Sequence, residues 1–263
     1  MVDPMACDGN RADTEHRATP APPPQVVLLD ALGTLVGLEA PAPHLRAQLA
    51  ARGITVTAAQ AAAAMRAEMA HYRAQHHRGG TPDGLAALRH ECAQLMGAAL
   101  GRAAARLDAA QLQEVLLASL RFFAYPEVPG VLRALRAAGQ RLVICSNWDL
   151  SLHEVLAATG LDVLVDGVVV SAVEGVAKPD PRLLHGALAL AGDVPAGAAI
   201  HVGDSVAADV RGALAAGMRP VLVRRAGDEV RSADEDGCAV AGVPVIADLE
   251  GLTGLVLYPR PGR

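Results

Sequence analysis

Between about residue 131 and residue 223, short apolar runs and helix-like segments follow one another in steady alternation. The runs are Arg141-Leu142-Val143-Ile144-Cys145, Gly167-Val168-Val169-Val170, Ala199-Ile200-His201-Val202-Gly203 and Pro220-Val221-Leu222-Val223. Helical patterns lie between them, over Val131 to Ala138, Leu152 to Ala158 and Pro181 to Leu190, with glycine stops at Gly139, Gly160 and Gly217. Such alternation builds a parallel sheet wrapped by helices on both faces. One further buried-strand run, Gln25-Val26-Val27-Leu28-Leu29, stands apart near the start of the chain and ends at Asp30.

From residue 40 to 124 the pattern is helical throughout. Thr57-Ala58-Ala59-Gln60 forms a capping box before an Ala-rich helix carrying Met65, Met69 and Tyr72. Thr81-Pro82 starts a second helix, with Leu85, Leu88, Cys92 and Leu95 on one face. Asp108 and Gln111 start a third, carrying Leu112, Val115, Leu116 and Leu120. The expected fold class is therefore α/β: a Rossmann-like parallel sheet core, residues 25–39 and 125–258, with an inserted all-helical cap over 40–124. Hinges are expected near Gly37–Pro43 and Phe122–Gly130. Residues 1–24, which end in Ala21-Pro22-Pro23-Pro24, and residues 259–263 are expected to be tails.

Hydrophobic residues make up 52% of the 263, but only six are aromatic, so the core must be built from Ala, Leu and Val. The formal net charge of −5 gives no reason to expect a nucleic-acid partner. No apolar run approaches the roughly 18 residues of a spanning helix, and the N-terminus has no signal-peptide pattern. Cys7, Cys92, Cys145 and Cys238 lie far apart with no metal-ligand spacing, as in reduced thiols. A cytoplasmic protein without a membrane partner, monomeric or homodimeric, is the expectation.

In an open parallel sheet, ligands bind beyond the carboxyl ends of the strands. Here Asp30, Ser146 and Asp204 end strands, and Lys178 lies in the loop after another. Lys178 is also the only lysine among 23 basic residues, and arginine cannot copy its compact charge. Two carboxylates aimed at one point repel unless a cation lies between them. With oxygen ligands and no His or Cys cluster, a hard ion, Mg²⁺, suits the site better than zinc. Lys178, the Ser146 hydroxyl and nearby backbone N–H groups would cradle an anion. A carboxylate beside a metal and a captured anion points to nucleophilic attack through an acyl-phosphate intermediate.

Taken together these residues resemble the haloacid dehalogenase-like superfamily, over about residues 25 to 250. Asp30-Ala31-Leu32-Gly33-Thr34-Leu35 resembles its first motif, DxDGTL. Ser146-Asn147 resembles the second, Lys178-Pro179 the third, and Gly203-Asp204-Ser205 with Asp209 the fourth. The helical insert resembles the cap of the branch holding phosphoglycolate phosphatases and 2-haloacid dehalogenases. The resemblance implies that Asp30 is the nucleophile and that Ser146, Asn147, Lys178 and Thr34 bind a phosphorylated small-molecule substrate. It implies Mg²⁺ held by Asp30, the Leu32 backbone carbonyl and Asp204. Asp209 would support the metal or Lys178 from behind, or be a solvated acid on its helix.

One position departs from the family. Leu32 stands where the family has its general acid/base aspartate, so it cannot protonate a leaving alkoxide, a contribution of ~10² to 10⁴ in rate. The leaving group can be one that needs no proton; a cap residue such as His71, His76 or His77 can supply it; or catalysis is feeble. Mg²⁺-dependent phosphate hydrolysis is the leading expectation, because Asp204 and Asp209 make sense around a cation. A dehalogenase or other non-phosphate hydrolase, and a binding protein on a disabled scaffold, are the alternatives. Trp148 is placed either at the site mouth or under the cap, Asp149 or Ser151 as a helix cap, and Asp228 to Asp236 as a solvated loop.

Overall fold

The computed structural model describes residues 24–226 and 241–257. The expected tails over 1–23 and 259–263, Cys7, Cys238 and the acidic stretch from Asp228 to Asp236 lie outside the described residues. Pro24, expected to end the N-terminal tail, is buried. Six strands form one parallel sheet: β1 (Val26–Leu29), β4 (Arg141–Ser146), β5 (Gly167–Val170), β6 (Ala199–Gly203), β7 (Arg219–Val223) and β8 (Val245–Ile246). Their spatial order is β5-β4-β1-β6-β7-β8. β1 is central and wholly buried, as its unbroken apolar run requires. The register pairs Leu29 with both Ile144 and Val202, so β1, β4 and β6 end level with one another.

Helices cover both faces. On one, Leu132 and Leu135 of α5 (Val128–Ala137) and Leu152 and Leu156 of α6 (Leu152–Thr159) pack on Val27, Leu29 and Ile144. On the other, Leu183, Leu184 and Ala187 of α8 (Pro181–Leu190) pack on Val26, Leu28 and Val143. Ser171–Glu174 forms one short helical turn, and Arg211–Ala215 follows a π-helical turn over Val206–Val210. The last described helix is Glu250–Leu257.

Between β1 and β4 the chain forms β2 (Val36–Leu38), the helices α1 (Pro41–Ala50), α2 (Ala58–Gln75), α3 (Pro82–Leu100) and α4 (Ala109–Ser119), and β3 (Phe122–Ala124). β2 and β3 pair antiparallel, Val36 opposite Ala124 and Leu38 opposite Phe122. The segments expected as hinges are thus partly a two-stranded ribbon, which sequence reasoning did not find because each strand has only three residues. The helices share their own core of Leu45, Leu49, Met65, Leu88, Met96 and Leu116. The capping boxes at Thr57 and Asp108 form as expected, and the Thr81 hydroxyl accepts from Gly84 N–H. One inward residue differs: Leu95 is 38% exposed, and the stripe continues from Cys92 through Met96, the next position on the same face.

Candidate active site

Asp30 follows β1 where the chain must turn at once. Gly33 takes φ 86°, a left-handed conformation that side chains rarely adopt, and Leu35 N–H and Val36 N–H both donate to the Ala31 carbonyl. The carbonyls of Gly33 and Thr34 accept from Arg225, and that of Leu35 from Tyr125 N–H. Among the described residues no hydrogen bond reaches the Leu32 carbonyl, while Thr34 Oγ1 is buried without a partner.

Asp30 itself is buried. Its Oδ1 accepts from Ser146 Oγ at 2.9 Å and from Lys178 Nζ at 2.7 Å. Lys178 Nζ donates a second bond, at 2.6 Å, to Asp209 Oδ1. Burial alone would lower the Lys178 pKa, but the carboxylates of Asp209 and Asp30 outweigh it and hold the ammonium well above its ordinary range. Burial alone would likewise raise Asp209, yet Lys178 and His201 hold it below the usual carboxylate range. Asp209 is thus no solvated acid. Its Oδ2 accepts from Ser205 N–H at 2.9 Å, and His201 Nε2 lies 2.9 Å from its Oδ1. A Cβ at position 203 would fall 2.1 Å from the Asp209 carboxyl carbon, so Gly203 leaves the space in which this carboxylate sits.

One oxygen from each of Asp30, Asp204 and Asp209 lies within 4.8 Å of the others. With the uncommitted Leu32 carbonyl two positions on from Asp30, these oxygen donors suit Mg²⁺. Asp30, Asp204 and that carbonyl would hold the ion, because both Asp209 oxygens already take bonds from the protein. Asn147 stands slightly aside: its side-chain amide bonds the backbone of Lys178 at both ends.

Next to the site, a cavity of about 990 Å³ lies between the sheet and the helices of the insert; its walls include Leu32, Gly33 and Asn147 but not Asp30, Ser146, Lys178 or Asp204. Met69, Tyr72 and Leu88 line it from the insert. Trp148 meets both expectations for it: it is buried against Phe122, ring centroids 5.3 Å apart, and also lines the cavity. Asp149 Oδ1 accepts from Ser151 N–H at the start of α6. His71 is bonded to Glu91 and His76 to the Arg73 carbonyl, and neither they nor His77 lines the cavity.

Two residues of the site escaped sequence reasoning. His201 looks like one more position in the buried run of β6. Arg225 lies nearly two hundred positions from the turn it braces; it also pairs with Glu127 at 2.7 Å and stacks 3.5 Å over the Tyr125 ring.

A family model for haloacid dehalogenase-like hydrolases matches residues 24–217. The bovine haloacid dehalogenase-like hydrolase domain-containing protein 3 (Bos taurus) is 45% identical over 92 residues, 35% of this chain and 36% of that protein. A phosphoserine phosphatase from Thermus thermophilus is 41% identical over 106 residues, 40% of this chain and 42% of that protein. The matched segments thus span well under half the length of these curated relatives. The L-2-haloacid dehalogenase from Xanthobacter autotrophicus superposes with a TM-score of 0.64 at 22% identity, covering 89% of this chain and 99% of that one, which shows a shared fold. With the family match extending over most of its length, from the first strand past the Asp204–Asp209 segment, this chain belongs to the haloacid dehalogenase-like hydrolases.

Proposed function

We propose that the protein hydrolyses a phosphorylated small molecule, with Asp30 as nucleophile and Mg²⁺ as cofactor. The observation that carries this reading is the arrangement around the Asp30 carboxylate. Two anion-binding donors, Ser146 Oγ and Lys178 Nζ, meet on its Oδ1, and an Asp204 carboxylate oxygen lies within 4.8 Å of an Asp30 oxygen. A nucleophile, an anion cradle and an acidic pair in one cluster suit attack on phosphorus. The phosphatase names carried by several relatives agree with it.

In this mechanism Ser146 and Lys178 orient the phosphoryl group and offset its charge as Asp30 attacks. The bond from Asp30 oxygen to phosphorus forms, the ester oxygen leaves, and water then hydrolyses the aspartyl phosphate. Mg²⁺, held by Asp30, the Leu32 carbonyl and Asp204, would supply charge neutralisation for the attack. Asp209 and His201 hold Lys178 in place, Asn147 fixes its backbone, and Arg225 braces the turn that carries Asp30. Leu32 supplies a carbonyl and no proton. The helical insert acts as a cap that closes the cavity over the substrate and selects it.

The test is hydrolysis of a panel of phosphate esters and acyl phosphates, with 2-haloacids alongside, each with Mg²⁺ and with a strong chelator. Mg²⁺-dependent phosphate release that Asp30→Asn abolishes without loss of fold is the expected result. Chelator-resistant release of halide would overturn it in favour of a dehalogenase.

A further inference from the structure

The cavity wall holds an acid that the mechanism above does not use. Glu68, on α2, lines the same cavity as Leu32 and is only 3% exposed. The other acids around this cavity are bonded to histidine, arginine, backbone or tyrosine donors. Glu39 is bonded to His44 at 2.6 Å, Glu154 to Arg89 at 2.6 Å, and Asp149 to Ser151 N–H and the Tyr72 hydroxyl. Glu68 has a different neighbourhood. It faces the Cys92 thiol on α3 and, on its own helix, His71, whose ring is committed to Glu91. Burial pushes its carboxyl up to about 6 against the smaller opposing effects of Cys92 and His71, so near neutral pH it exchanges a proton readily. Arg73, Arg89 and Tyr72 from the insert and Asp149 from the core also line the cavity.

We propose that Glu68 is the general acid of the reaction, delivering from the cap the proton that Leu32 cannot supply. The inference rests on the reading as a phosphate hydrolase. As the Asp30 carboxylate bonds to phosphorus, the breaking P–O bond leaves its electron pair on the ester oxygen. The Glu68 proton passes to that oxygen, and an alcohol departs. Water then attacks the phosphorus of the aspartyl phosphate, and the Asp30 oxygen leaves with its electron pair. The proton of that water passes to solvent, phosphate is released, and Glu68 takes a proton back from solvent to become an acid again. The donor sits on the insert and the nucleophile on the sheet, so both halves of the molecule must be in place for an alkyl ester to react.

The test compares wild type and Glu68→Gln on alkyl phosphates and on 4-nitrophenyl phosphate, with Mg²⁺, across pH. The variant should lose roughly 10²-fold or more in kcat on alkyl esters, whose leaving groups need a proton, and stay near wild type on the aryl ester. Wild-type turnover of alkyl esters should fall as pH rises through about 6, and the variant should lack that fall. Leu32→Asp added to Glu68→Gln should restore alkyl turnover, which also guards against a misfolded single variant. Equal losses on both esters, or an unchanged alkyl rate, would overturn the role of Glu68. So would a wild type that turns over the aryl ester alone. A wild type that releases phosphate from neither ester overturns the phosphatase reading itself.

Discussion

The side-chain amide of Asn147 bonds both ends of one backbone unit: its Oδ1 accepts from Lys178 N–H at 2.8 Å and its Nδ2 donates to the Lys178 carbonyl at 2.9 Å. This reciprocal pair ties the loop after β5 to the end of β4, so the ammonium and the Ser146 hydroxyl hold their relative positions. Asn147→Ala should cost about 1–3 kcal/mol, since two backbone groups lose their partners. It should also lower kcat by displacing the ammonium. Asn147→Asp keeps the acceptor and should lose less of both. Thermal unfolding and phosphate-release kinetics on the same preparations check this.

Lys178 compensates two buried carboxylates at once. Lys178→Met leaves Asp30 and Asp209 facing each other without a cation, and should destabilise the fold by about 3–5 kcal/mol. The pH dependence follows from the lowered Asp209 pKa. A carboxyl depressed in the folded state contributes stability above its ordinary value of 3.8 and loses it as pH falls through the depressed one. Denaturant titrations carried from pH 7 to well below pH 3.8 should therefore show wild type losing its advantage over Lys178→Met at the acid end.

Glu68 carries the opposite sign. Its carboxyl is raised from 4.5 to about 6 in the folded protein, so its favourable contribution is complete below 4.5 and is lost as pH rises through 6. A shift of that size corresponds to about 2 kcal/mol. Glu68→Gln removes the titration. Unfolding free energies measured at pH 4 and pH 7.5 should move toward the variant by that amount, and a constant difference between the two proteins would contradict the burial of this acid.

Asp204 belongs to the proposed metal site but takes no part in the Lys178 ion pairs. Mg²⁺ should raise the wild-type Tm by mass action, and Asp204→Asn should weaken that rise. A Tm response to Mg²⁺ that the substitution leaves unaltered would place the ion elsewhere.

The residues legible in the sequence were those that end strands. Asp30, Ser146 and Asp204 each follow an apolar run, and the level ends of β1, β4 and β6 bring them together. Lys178 stood out by being the only lysine. Asp209 was ambiguous because its partners, Lys178 and His201, come from different loops and strands, and a helix-borne acid shows no periodic signal. His201 was hidden by the buried strand around it, Arg225 by its distance along the chain, and Glu68 by a helix so rich in alanine that one acid looks solvated. Burial decides that last case, and burial there depends on how α2 meets α3 and the core. The ribbon of β2 and β3 was too short to show alternation.

That ribbon has a further consequence. The chain leaves the sheet along Val36–Leu38 and returns along Phe122–Ala124, two strands hydrogen-bonded side by side. Everything between them hangs from a paired stem whose two ends are fixed neighbours, whatever lies beyond. A different helical cassette, spliced between Leu38 and Phe122, would leave the register of β1, β4 and β6 undisturbed. The strand ends and the helical insert that hangs beside them are therefore separable lengths of chain, and the second can be replaced wholesale while the first is kept.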